Sequence, residues 1–178
     1  MRPDTPIAET IPTKGKGTEV EGATRSLAWT DVERRLASGG WFWLASVRPD
    51  GAPHMMPLFA AWSESVLFVA SKESARKSRN LDADGRCVIS TESDGAHLVV
   101  EGEASRVRDR ETLERASAAF EQIYGWPTTV ADDQLDAEYG APTSGGPPYR
   151  VYQVAPTKIF ALPINDSFLP TRLRFARS

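Results

Sequence analysis

The run Ser71-Lys72-Glu73-Ser74-Ala75-Arg76-Lys77-Ser78-Arg79-Asn80-Leu81 concentrates groups that can hold an anion. Four cations fall between Lys72 and Arg79, with the hydroxyls of Ser71, Ser74 and Ser78 among them. The apolar stretch 65–70 before it (SVLFVA) reads as a strand, and the residues after Ala75 are compatible with a short helix. A strand that turns into a basic helix offers free backbone N–H groups, the positive end of the helix dipole and side-chain cations in one place. The group such a corner suits is a phosphate. A solvated helix face is the plainer reading of a charge run, but the strand-to-helix position favours the phosphate for Arg76, Lys77 and Arg79. Lys72 reads as a surface charge.

The elements that must position this corner follow from pattern and punctuation. Residues 1–25 are rich in Pro, Thr, Gly and charge and read as a flexible arm, leaving 26–178 as one domain with a C-terminal tail. Thr30 and Glu33 have capping-box spacing for a helix ending before Gly39-Gly40. A strand is expected over Trp41–Val47, closed by the turn Arg48-Pro49-Asp50-Gly51, and a second over Pro53–Trp62. Pro57 removes a ladder donor from that second strand and favours an edge or a bulge. Cys87–Ser93 and His97–Val107 read as a hairpin around Asp94-Gly95, with Gly102 marking a bulge or a close backbone approach. Asp109 can cap a helix over Arg110–Tyr124. Residues 125–148 read as loop, and Tyr149–Leu162 as a long strand broken locally at Pro156. Mostly hairpin-joined strands with short inserted helices predict a mainly β protein, a small six-stranded antiparallel barrel. Such a barrel fills its own interior, so a cofactor would bind outside it, in a cleft between two subunits.

Composition bounds the alternatives. The chain has 178 residues, a net charge of −3, one cysteine and two histidines. The acidic balance argues against nucleic acid as a partner. A single Cys and two His leave no zinc set, so no metal site is expected, and Cys87 in an apolar run reads as a buried inert thiol. No apolar stretch is long enough to span a bilayer, and the N-terminus lacks a signal-peptide core; the expectation is a cytoplasmic protein without a membrane partner. No clustered carboxylate pair or Ser-His-Asp set points to hydrolysis, and no catalytic residue is assigned.

The ordered set of the strand Trp41–Val47, the Arg48–Gly51 turn, Pro53-His54-Met55-Met56-Pro57-Leu58 and Arg76-Lys77-Ser78-Arg79-Asn80-Leu81 resembles the FMN-binding split-barrel family, that of pyridoxamine 5′-phosphate oxidase, over roughly Thr30 to Leu162. The resemblance implies a dimeric split β-barrel with two cofactor sites at the interface. It implies that Arg76 and Lys77 hold the flavin phosphate, that Val69, Ala70 and Ser71 add contacts from the strand end, and that His54, Met55, Met56, Pro57 and Leu58 lie along the ring. The Lys-x-Arg-Asn-Leu arrangement of Lys77, Arg79 and Asn80 is similar to relatives that use the deazaflavin coenzyme F-420. The expected cofactor is FMN, with F-420 as the alternative. Met56 stands where the classical oxidase has an Arg, and the oxidase's R-x-E-F-W ending is absent, so oxidation of pyridoxamine phosphate itself is not expected. The implied function is hydride transfer to or from a small unidentified substrate; a non-catalytic flavin- or haem-binding protein is the other reading. Trp126 reads as a substrate-stacking ring or an anchor for the partner subunit. Arg172 and Arg174, two apart in an extended tail, point to one side and would meet a partner subunit or an anionic substrate.

Overall fold

The computed structural model describes residues 5–12, 25–140, 145–165 and 167–176. Along the chain these form β1 (Ile7–Thr10), α1 (Trp29–Ala37), β2 (Phe42–Val47), β3 (Pro53–Leu58), β4 (Ala60–Ser63), β5 (Val66–Ser71), α2 (Arg76–Ala83), β6 (Arg86–Ser93), β7 (Ala96–Val107), α3 (Arg110–Tyr124), β8 (Thr128–Ala131), β9 (Gln134–Ala137), β10 (Arg150–Pro163) and β11 (Thr171–Arg174). The pairing is antiparallel, in the order β1-β11-β10-β7-β6-β2-β3, with β5 also joined to β10 and β4 to β5. This is a split barrel, mainly β with three short helices, as the sequence predicts.

β10 is the spine. It runs the length of β7, pairs with β5 over Arg150–Val154 and with β11 over Lys158–Ala161. The switch of partner falls beside a register shift between Pro156 and Lys158, where proline cannot donate to the ladder. Gly102 lies opposite this point, and a Cβ there would come within 2.6 Å of the Ala155 carbonyl, so the expected close approach is real.

Alternation sorts the side chains. Phe42, Leu44, Ile89, Leu98, Val100, Tyr152, Val154 and Ile159 fill the barrel. A second core, between α3 and the outer face of β5 and β10, gathers Phe68, Leu113, Phe120, Trp126, Tyr149 and Val151. Cys87 is buried at the edge of the first core, and desolvation pushes its thiol up to about 12, which keeps it protonated and unreactive. No helix among the described residues is long and apolar enough to cross a membrane.

Several sequence expectations change. The second strand breaks at Phe59 into β3 and β4, because the chain leaves β2 and pairs with β5; Phe59 is then inserted between the rings of Trp41 and Tyr124, at 4.7 and 4.6 Å. The Thr30–Glu33 capping box does not form. α1 starts at Trp29, whose ring packs edge-on against Trp62 and Phe175, and Glu33 instead accepts a bond from the Ser65 hydroxyl. Residues 125–148 hold the hairpin β8–β9 around the Asp132-Asp133 turn. Within the segment read as an arm, Ile7–Thr10 pairs with the tail strand β11. Asp109 does cap α3, accepting from the Thr112 N–H at 2.9 Å.

Candidate functional site

α2 begins without a side-chain cap: Ala75 occupies the cap position and offers no acceptor, so the first N–H groups of the helix stay open. Its face is set by helical period. Lys77, Asn80 and Leu81 are buried, while Arg76 and Arg79 are exposed. Lys77 is thus a lysine on the core side, 6% exposed, and no described residue forms an ion pair or hydrogen bond with it. Burial lowers the pKa of its ammonium, the response of a cation with no counter-charge. At the end of β5, Ser71 is fully buried and its Oγ lacks a partner among the described residues, and Nδ1 of His54 on β3 is likewise buried and unpartnered.

His54 reports the local field. Burial first, then the positive charges of Arg48, Arg76 and Lys77, hold its imidazole below the ordinary value, so it is neutral at pH 7. Three cations thus raise the potential at one imidazole. Elsewhere in the described residues the cations are neutralised: apart from Arg25, every Arg and Lys outside this corner has a carboxylate within ion-pair distance. Arg34 and Arg35 pair with Asp94, Arg106 and Arg108 with Asp133, and Lys158 with Glu101. Arg48, Lys72, Arg76, Lys77 and Arg79 have none. An uncapped helix start, a buried bare ammonium and orphaned hydroxyl and imidazole groups are features that an anion would complete.

A second surface runs from it along β3. The Arg48 N–H donates to the Ala52 carbonyl and the Gly51 N–H to that of Arg48, which makes 48 and 52 a hydrogen-bonded pair. Bonded and non-bonded pairs then alternate down the ladder. Ser46/His54, Leu44/Met56 and Phe42/Leu58 face each other through hydrogen bonds, and the polar groups of Pro53, Met55 and Pro57 point away from β2. β3 is an edge strand, as Pro57 implies, and no described strand covers that side. Two of the three outward residues are prolines, so the edge shows one N–H, that of Met55, among three carbonyls. A further β-strand would lose most of its ladder there. A small planar ligand needing one donor and one or two acceptors would not.

The predicted residues divide accordingly. His54 lies within the field of Arg76 and Lys77, Ser71 ends the strand that leads into their helix, and Arg79 lies exposed on the same helix. Met55 and Met56 are 56% and 44% exposed on opposite sides of the edge strand, and Pro57, which follows them, is half-buried. Val69, Ala70 and Leu58 bury their side chains in the two cores. Asn80 is fully buried beneath α2, where its Nδ2 donates to the Ser46 hydroxyl at 3.0 Å and anchors the helix to β2. Trp126 is 7% exposed and packs inside the second core. Arg172 and Arg174 do point to one side, as expected of i, i+2 on a strand. There they meet Glu9 of β1, whose carboxyl the Arg172 guanidinium holds below the usual range. Arg48 is the residue that sequence reasoning missed. The signal was the hairpin itself, which pairs position 48 with 52 and so sets it beside His54.

Saturating inorganic phosphate is expected to raise the pKa of His54, because a dianion among Arg48, Arg76 and Lys77 cancels the repulsion that depresses it. By linkage, the anion then binds more tightly as pH falls through the His54 titration. NMR titration of the His54 ring with and without phosphate reads this directly; a curve that does not move would remove His54 from the site.

The family model described as pyridoxamine 5′-phosphate oxidase matches residues 30–162. No curated protein matches the chain. Among solved structures, a conserved hypothetical protein from Mycobacterium tuberculosis superposes with a TM-score of 0.63 at 17% identity, covering 80% of this chain and 88% of that one. A FAD-binding protein from Mesorhizobium loti gives 0.57 at 15%, covering 85% and 97%. An F420 reductase gives 0.52 at 23%, covering 71% and 94%. At these identities the likeness is one of fold.

Proposed function

Since this chain belongs to the pyridoxamine 5′-phosphate oxidase family, we propose that its anion site holds the phosphate of FMN and that the protein is a flavin-dependent oxidoreductase acting on a small substrate. The observation that carries the reading is Lys77: a buried ammonium without a counter-charge is costly unless something anionic completes it. Ser71, Arg76 and the open N–H groups of α2 would share the phosphate. The edge of β3 would hold the ring out of register: one carbonyl of the ring's imide would accept from the Met55 N–H, and the imide N–H would donate to a neighbouring carbonyl of the edge. The bound flavin supplies hydride transfer, and the chain supplies binding, orientation and the local field. Neutral His54 can accept a hydrogen bond or a proton there.

Coenzyme F-420 is the second reading, favoured by cations in excess of what one phosphate needs. A phosphate monoester carries about −1.5 to −2 at neutral pH, whereas Arg48 and Arg79 remain bare beyond Arg76 and Lys77, as a long acidic tail would require. We also propose a homodimer. Trp41, Trp43 and Met55 are 53%, 47% and 56% exposed together on the outer face of β2 and β3, an apolar patch that a second copy would cover.

Side-by-side fluorescence titrations with FMN and F-420, with light scattering on the same samples, test these proposals. FMN binding at one per chain, with a mass twice 19.5 kDa, is the expected outcome. Preference for F-420 would select the second reading, a monomeric mass would remove the dimer, and binding of neither cofactor would overturn the function.

A further inference from the structure

The bare cations of α2 stand close in sequence to three carboxylates, Glu73, Asp82 and Asp84, yet none pairs with them. Asp84 is held by Arg86 at 2.6 Å. The other two are held by one residue. Arg150 opens β10 opposite Ser71 of β5, and its guanidinium, 13% exposed, bonds through Nη1 to Oδ2 of Asp82 at 2.7 Å and through Nη2 to Oε1 of Glu73. The remaining oxygen of Asp82 lies 2.9 Å from the Tyr152 hydroxyl, which also reaches the Ser78 carbonyl. Asp82 follows Arg79 by three residues on α2, and Glu73 precedes Arg76 by three in the turn that leads into the helix. Released from Arg150, both carboxylates would be free to pair with the cations of the helix.

We propose that Arg150 is a positioning residue that keeps the anion site charged. By occupying Glu73 and Asp82 from a neighbouring strand, it prevents α2 from neutralising its own cations. Arg150 touches no ligand in this scheme. It acts through the two carboxylates, which explains why a region with acidic residues on both flanks of the helix still presents uncompensated positive charge. The inference rests on the anion-site reading above, and its test separates the two.

The variant Arg150→Gln is expected to bind FMN about tenfold or more weakly, the loss expected when an internal ion pair competes for a charge-assisted contact. Adding Glu73→Gln and Asp82→Asn to that variant should return affinity to within about threefold of wild type, because the competitors are gone. A role confined to holding α2 in place would not be rescued by deleting more of its bonds, so a triple variant as weak as Arg150→Gln overturns the proposal, as does an Arg150→Gln variant with unchanged affinity. If Arg150→Gln does not fold, the pair Glu73→Gln/Asp82→Asn with Arg150 intact decides. Masked carboxylates predict affinity within about threefold of wild type, and a tenfold gain would show that they were competing all along. A ligand-free readout keeps the test independent of the cofactor. The Lys77 ammonium, followed by NMR, should titrate at higher pH in Arg150→Gln than in wild type as Glu73 becomes available to it, whether or not FMN binds. Failure of wild type to bind FMN, with that shift present, would refute the cofactor and leave the role of Arg150 standing.

Discussion

Lys77→Met is expected to abolish FMN binding at micromolar protein while making the ligand-free chain more stable. The two effects have one cause. Methionine keeps the length and apolar stem of lysine and fills the same slot beside Asn80 and Leu81, but it removes an ammonium that is 6% exposed and has no counter-charge in the described structure. Charge-assisted hydrogen bonds contribute about 1.5–3 kcal/mol each, so losing those from Lys77 to a phosphate weakens binding by roughly ten- to a hundredfold or more. The same deletion relieves the cost of burying the charge, which stabilises the unliganded fold by about 1–2 kcal/mol. Calorimetry with and without FMN reads both. A variant less stable than wild type would show that the ammonium has a favourable partner within the fold.

The pH dependence of that stability has a definite sign. Lys77 titrates in the folded chain below its ordinary value of 10.5, so in the window between the two values the unfolded chain holds the extra proton. Stability of the ligand-free wild type therefore rises with pH across that window. The rise should be missing in Lys77→Met. Bound phosphate should flatten it as well, because an anion beside the ammonium restores its charged form and lifts the folded value.

Much of this corner was legible in the chain because its signals are local. Charge density between Lys72 and Arg79, a strand ending in serine and a proline in the earlier edge strand are each set by a few consecutive residues. Even the burial of Lys77 could be read, since it falls one turn before Asn80 and Leu81 on a single helical stripe. What the chain withheld is non-local. Which arginines are bare depends on which carboxylates the fold brings to them. Arg172 and Arg174 carry the same spacing and charge as a ligand site, yet Glu9 reaches them from the other end of the sequence. Asn80, in a motif suggesting cofactor contact, is turned inward by the helical phase that buries Lys77, and it meets Ser46 of β2. The hairpin β8–β9 escaped because its strands are four residues long and alternate too briefly to stand out.

Trp126 shows the same limit with a measurable consequence. Trp126→Ala is expected to cost about 3–5 kcal/mol of stability, as other large-to-small aromatic core truncations do, and to leave the FMN affinity of the folded protein unchanged. A tryptophan in a Gly- and Pro-rich stretch looks like an exposed ring. Here Gly125 ends α3 in the left-handed region at φ 60°, with its N–H bonded to the Glu121 carbonyl, and that reversal turns the next side chain back toward the helix. The indole packs edge-on between Phe120 at 5.4 Å and Tyr149 at 5.2 Å, and its Nε1 donates to the Tyr139 carbonyl at 3.3 Å. Removing it opens a cavity in the second core, on the side of β10 away from the barrel interior. Urea denaturation of Trp126→Ala and Trp126→Phe should therefore order the variants by volume lost, with alanine far the worse, while FMN titration below the melting transition gives one affinity for all three. A Trp126→Ala protein of wild-type stability that loses binding or turnover would instead place this ring at the ligand and refute its role in the core.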